Sequence, residues 1–140
     1  MPKRSQAREI VFQIIYEDDL NSSRNPALAD ELLERRIGDE SLLEFARQLV
    51  RGVRQNREQI DGLIEKAAEN WSLERMAATD RNVLRLGAFE LLHCDTPDPV
   101  AINEAVELAK RFGTAQSAQF VNGILDRLMH SNKQSEAGDE

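Results

Sequence analysis

The feature that most constrains this chain is the rhythm of its apolar residues. They recur at three- and four-residue intervals along its length, and no run of β-branched residues alternates in the period-two manner of a strand. Ala7, Ile10, Val11, Ile14 and Ile15 fall on one helical face, and Leu28, Leu32 and Leu33 supply a short second stripe. Leu42, Phe45, Ala46, Leu49, Val50 and Val53 make a third, and Ile60, Leu63, Ile64, Ala67 and Ala68 a fourth that ends near Trp71-Ser72. A break near Asn56 between these two is left open by the pattern. Val83, Leu84, Gly87 and Leu91, then Val100 to Phe112, then Phe120, Val121, Ile124, Leu125 and Leu128 continue the rhythm. The spacing predicts an all-α fold, a compact bundle of about six or seven helices.

Punctuation supports the same reading. Asn25-Pro26 reads as a helix start, because Asn satisfies free N–H groups and Pro suits the first turn. Asp39 or Ser41, Thr79 or Asp80, and Ser117 are candidate caps. Gly38 and Gly113 read as stops that tolerate the left-handed conformation, and Pro97 and Pro99 predict a loop. At 140 residues the chain fits one domain, placed at 1–130, with 131–140 expected to be a mobile polar tail without apolar anchors.

Charge narrows the possible partners. The net charge is −7, so long-range attraction does not steer the molecule toward nucleic acid, and any such site must be a local basic patch. One is present: residues 1–8 carry Lys3, Arg4 and Arg8 and no acid, ahead of a segment, 9–50, with ten acids and four bases. Arg47, Arg51, Arg54 and Arg57 fall on one side of a continuous helix. They read best as a solvated face paired with Glu44, Glu58 and Asp61, with a second phosphate-binding surface as the alternative. No apolar run is long enough to span a bilayer, and the basic N-terminus lacks the apolar stretch of a secretory signal. A cytoplasmic location is expected.

Catalytic signals are thin. The single cysteine, Cys94, excludes a disulfide framework and a multi-cysteine zinc site, and no metal or cofactor is expected. Cys94 and His93 are adjacent, so on a helix they point about 100° apart and do not form a nucleophile–base pair. His93 and His130 read as partners of helix C-terminal dipoles. Phosphate-cradling and metalloprotease motifs are missing. The chain reads as a binding module, not an enzyme. The aromatic residues Phe12, Tyr16, Phe45, Trp71, Phe89 and Phe112 are expected mostly in the core, and periodicity alone favours the core for Phe120 too.

Two blocks sharpen this. Val100–Gly113, with its Ile102-Asn103-Glu104-Ala105-Val106-Glu107-Leu108-Ala109-Lys110 run, and Phe120-Val121-Asn122-Gly123-Ile124-Leu125-Asp126 closely resemble the NusB family of transcription antitermination factors. Asp80-Arg81, Leu84-Arg85-Leu86 and Phe89-Glu90-Leu91, together with Ala7-Arg8-Glu9, Tyr16, Leu49, Gly52, Val53, Asn56, Ile60 and Asp61, extend the likeness over most of the chain. The resemblance implies two small helical subdomains. It also implies binding of boxA-type single-stranded RNA together with the NusE ribosomal protein, and a role with RNA polymerase in reading through terminators, notably in ribosomal RNA operons.

By matching positions, Lys3, Arg4 and Arg8 would neutralise phosphates. Phe120 would stack on a base, which reverses the core expectation, and Gln116 and Gln119 could reach base edges. Tyr16, Glu74 and Asp80 would lie near the protein partner and the RNA edge, while Asn103 and Asn122 read as structural. The arm is shorter in basic residues than is usual in the family, so RNA binding by this chain alone is expected to be weak. The alternatives are a protein-binding scaffold and a homodimer with its RNA site masked. A fused RNA methyltransferase, another setting for such a domain, finds no room in 140 residues.

Overall fold

A computed structural model describes residues 3–69 and 71–138, with side chains through residue 134. It contains α1 (Lys3–Leu20), α2 (Ala27–Arg36), α3 (Glu40–Gln55), α4 (Arg57–Ala67), α5 (Ala78–His93), α6 (Asp98–Phe112) and α7 (Ser117–Gly138). A single 3-10 turn, Leu73–Arg75, precedes α5, and no strand occurs among the described residues.

Helix α5 organises the rest. Every residue from Asn82 to Leu91 is buried, the signature of a helix surrounded on all sides. It packs against α1 and α3 on one side and against α4, α6 and α7 on the other, while α2 lies on α3. The two helical groups share one continuous apolar core. Close approach depends on two glycines. A Cβ on Gly52 would run into the Phe89 ring, and one on Gly87 would stand 2.8 Å from Cδ1 of Leu125. Any side chain there would push α3 or α7 off α5.

Several boundaries differ from the sequence expectations. Asn25 does accept the Ala27 N–H (3.0 Å), and Asp39, not Ser41, caps α3 by accepting from Leu42 (3.0 Å). The helix breaks after Gln55, where the Asn56 side-chain amide donates back to the Gly52 carbonyl at 2.8 Å. Neither Gly38 nor Gly113 is left-handed; α2 ends on Ile37 in extended conformation. Neither Thr79 nor Asp80 caps α5. Both lie within its first turn, which follows Ala77. Pro99 belongs to the first turn of α6 instead of the loop before it. Ser117 opens α7, and its hydroxyl oxygen accepts the Thr114 N–H at 2.9 Å.

Helix α7 runs past Ser131 to Gly138, so the expected mobile tail is helical as far as it is described. Lys133 and Gln134 are good helix formers. Extending a helix already anchored by packing avoids the cost of nucleation.

Candidate nucleic-acid interface

The basic leader forms the opening turns of α1. Lys3 and Arg4 are exposed, and the Arg4 guanidinium sits 4.3 Å from the centre of the Phe45 ring. Arg8 is different: it is 3% exposed. Its Nε donates to Glu90 Oε1 at 2.9 Å, its Nη2 donates to Glu90 Oε2, and its Nη1 lies 3.5 Å from Glu104 Oε1. Thr96 donates its hydroxyl to the same Glu90 carboxylate at 2.7 Å. The phosphate contact expected of Arg8 is therefore corrected. Helical periodicity turns Arg8 toward α5 with Ala7 and Val11, and its cation is satisfied by buried carboxylate.

Beside this pair, Lys3, Arg4, Phe45, His93, Cys94 and Thr96 line an open groove of about 640 Å³. Burial, reinforced by the Glu90 and Asp95 charges, pushes the Cys94 thiol up to about 11, so it is protonated at neutral pH and unsuited to nucleophilic work. His93 Nε2 lies 3.3 Å from Gln59 Oε1 at the end of α5. His130 is not at a helix end, since α7 continues beyond it, and its neighbour is Asp126 at 3.6 Å.

The turn from α6 to α7 holds the second set. Gln116 and Gln119 are exposed, and the Phe120 ring is half-buried, neither sealed in the core nor free of it. Phe112, eight residues earlier, is likewise partly buried and stacks on the buried Phe12 ring with centroids 5.2 Å apart. Trp71 departs from the core expectation. It is 53% exposed and meets Phe120 edge-on, with centroids 6.1 Å apart and planes at 68°. The cause is local: Glu69, just past α4, is left-handed (φ 58°) and carries the chain off the α4 stripe before Trp71 is reached.

The arm and Phe120 lie toward different ends of α5. The arm groove includes His93 and Cys94 at the α5 C-terminus. Helices α5 and α7 run side by side, with Gly87 against Leu125 and Leu92 sharing a cleft with Leu128, so Phe120 is level with the first half of α5. Helix α6 spans the gap. Its Glu104 accepts from Ser5 at 2.7 Å, its Arg111 pairs with Glu9, and Lys110 and Arg111 are exposed.

The third set surrounds Asp19. Its carboxylate accepts from Arg81 Nε (2.6 Å), Asn82 Nδ2 (2.8 Å) and Arg57 Nη2 (3.1 Å), and Arg85 lies at 3.3 Å while also gripping Asp61. Burial raises the Asp19 carboxyl, but hydrogen bonds from Asn82 and Arg81 outweigh it and hold the group below its ordinary value. Exposed Glu74 lines a depression with Asp19 and Arg81. Asp80 is half-buried next to Arg81, with Oδ1 buried and unpartnered among the described residues. Tyr16 is half-buried one turn before Asp19, its ring 6.0 Å from Phe12, and no hydrogen bond joins it to Glu74 or Asp80 among the described residues.

The arginine stripe is mostly paired, though not with Glu44 or Glu58. Arg47 binds Asp30 and Glu34, Arg54 binds Asp18, and Arg57 binds Asp19 and, more loosely, Asp61. The helix break places Arg57 on α4. Among the described residues no group of three or more His, Cys, Asp or Glu could hold a metal, and no helix is long and apolar enough to cross a membrane.

Comparison with known proteins bears on this arrangement. The NusB family model matches residues 5–130. The transcription antitermination protein NusB of Syntrophotalea carbinolica is 46% identical over 89% of this chain and 90% of its own. That of Symbiobacterium thermophilum is 43% identical over 98% and 95%. The solved NusB structure from T. maritima superposes with a TM-score of 0.81 at 40% identity, over 93% of this chain and 92% of that one. A structure of the antitermination factors NusB and NusE in complex with double-stranded RNA gives 0.83 at 29% identity, over 94% and 99%.

Proposed function

This chain belongs to the NusB family, and we propose that it is an RNA-binding transcription antitermination adapter. In this reading it binds boxA-type single-stranded RNA jointly with the NusE ribosomal protein and, with RNA polymerase, supports transcription of ribosomal RNA operons in the cytoplasm. It works by binding, without catalysis. The observation that carries the reading is the Phe120 ring, left partly accessible at the start of α7 beside exposed Gln116 and Gln119. An accessible ring flanked by amide side chains can stack on an unpaired base and hydrogen-bond its edge. Lys3 and Arg4 supply phosphate contacts at the other end, and a strand joining the two passes along α6 by Lys110 and Arg111.

The partner reading rests on the Asp19 end. Glu74, Asp80 and the edge of Tyr16 there offer carboxylates and an aromatic ring to a basic protein surface, next to arginines already tied up by Asp19 and Asp61. With only Lys3 and Arg4 exposed on the arm, the chain alone should hold RNA weakly and the partner should strengthen the grip. A titration of labelled single-stranded boxA-type RNA, with and without the ribosomal partner, tests this. The expected result is weak binding alone and tighter binding with the partner. No binding in either arm overturns the proposal, and sedimentation showing a dimer that RNA neither engages nor dissociates points to the scaffold instead.

A further inference from the structure

We propose that Trp71 is a second stacking ring, and that with Phe120 and Arg127 it forms one RNA-gripping corner between α4 and α7. The inference rests on the RNA-binding reading of Phe120 and extends it to two residues that neither periodicity nor the family likeness assigns to RNA. Trp71 is the chain's one tryptophan and is 53% exposed, an unusual place for so large an apolar group. Its 68° angle to Phe120 leaves the two rings meeting edge-on, so they are not consumed in stacking on each other. A base can lie flat on one face while touching the edge of the other ring.

The cation is close by. Arg127 Nε donates to the Ala67 carbonyl at 2.7 Å, and the Trp71 backbone N–H donates to the neighbouring Ala68 carbonyl at 3.2 Å. Both residues are thus moored to adjacent carbonyls at the end of α4. Arg127 follows Phe120 by two helical turns, on the same face. Its Nη1 lies 4.0 Å from where a Gly123 Cβ would stand, so the guanidinium folds back over Gly123 toward Phe120. Arg127 is exposed, and no carboxylate among the described residues pairs with it. The absent side chain at Gly123 leaves a shallow gap between ring and cation, suited to a nucleotide whose base meets the rings and whose phosphate meets Arg127. A protein partner is the competing occupant. A cation with no carboxylate partner among the described residues, beside one exposed ring and one partly accessible ring, favours a polyanion with flat bases.

The test is RNA and partner titration of wild type, Trp71→Ala, Trp71→Phe, Phe120→Ala and Arg127→Gln, with thermal melting as a fold check. Tryptophan fluorescence of the wild type is followed during the RNA titration. Trp71→Ala is expected to weaken single-stranded RNA binding roughly 5- to 150-fold, as one lost base–aromatic stack does. Trp71→Phe should retain most of the affinity, RNA should quench wild-type fluorescence, and partner affinity should hold. Arg127→Gln should flatten the salt dependence by about 0.7 in slope, the worth of one single-strand phosphate contact. Normal RNA affinity in Trp71→Ala with weak binding in Phe120→Ala overturns this inference and leaves the Phe120 reading standing. Normal binding in both removes the two together. Lost partner affinity with intact RNA binding assigns the corner to protein docking and overturns the inference. If Trp71→Ala fails to fold, unquenched wild-type fluorescence at saturating RNA overturns it and quenching supports it.

Discussion

At the start of α1, charge has been drawn into the core; at the start of α7, apolar surface has been left outside. Arg8 is 3% exposed and locked to Glu90, whereas Trp71, packed on Phe120, is 53% exposed. Both invert the ordinary rule of burial, and the two inversions mean different things. A buried arginine that finds a buried carboxylate is a fastening, because either group alone would be costly. An exposed Trp71 resting on a partly buried Phe120 leaves aromatic surface open to solvent that the fold does not use. Arg4, one turn before Arg8 on the same helix, shows how narrow the boundary is: it rests on the Phe45 ring from outside and keeps its charge in solvent.

The contrast can be broken at several points. Arg8→Ala should destabilise the fold by about 3–5 kcal/mol, since it strands Glu90 in the core. Chemical denaturation measures this, and a loss below about 1 kcal/mol would show that the pair is not a fastening. Phe120→Ala should do the reverse, weakening single-stranded RNA binding by about 1–3 kcal/mol while costing less stability than Arg8→Ala. A variant with weaker folding and normal RNA affinity would make Phe120 a core residue after all.

Neutralising Lys3 and Arg4 together, as Lys3→Gln with Arg4→Gln, should flatten the plot of log K against log salt by about 1.4. Stability should hold, because neither residue takes part in an ion pair among the described residues. An unchanged slope would remove the arm from the RNA path. Glu69→Gly is the mildest change. Relieving a left-handed non-glycine residue should stabilise the fold by about 0.5–1 kcal/mol, and RNA affinity reports whether Trp71 keeps its place.

The helices were legible because each stripe is local. Ala7, Ile10, Val11, Ile14 and Ile15 lie within nine residues, and all five are buried in α1. Asp39 as a cap was nearly as plain, since its partner Leu42 is three residues away. The glycine stops hold in position but not in conformation: Gly113 ends α6 and Gly38 directly follows the end of α2, yet neither is left-handed, because a glycine permits that turn without compelling it. The candidate RNA residues Gln116, Gln119 and Phe120 come from the family likeness around the Phe120–Asp126 block, not from periodicity, which favours the core for Phe120. The exposure of Trp71 is not legible in the sequence because the residue continues the Ile60–Ala68 spacing. Only the backbone turn at Glu69 takes it off that face.

Taken alone, the order of residues determined the all-helical class, the approximate places where helices start and end, and the family blocks at Val100–Gly113 and Phe120–Asp126. Tertiary structure decided which cations are spent and which are free. Spacing along the arm cannot separate Arg4 from Arg8, because the carboxylate that claims Arg8 stands 82 residues away on α5. Helical periodicity is encoded within a few neighbouring residues, but the burial of a charge depends on a partner that only the folded chain brings near.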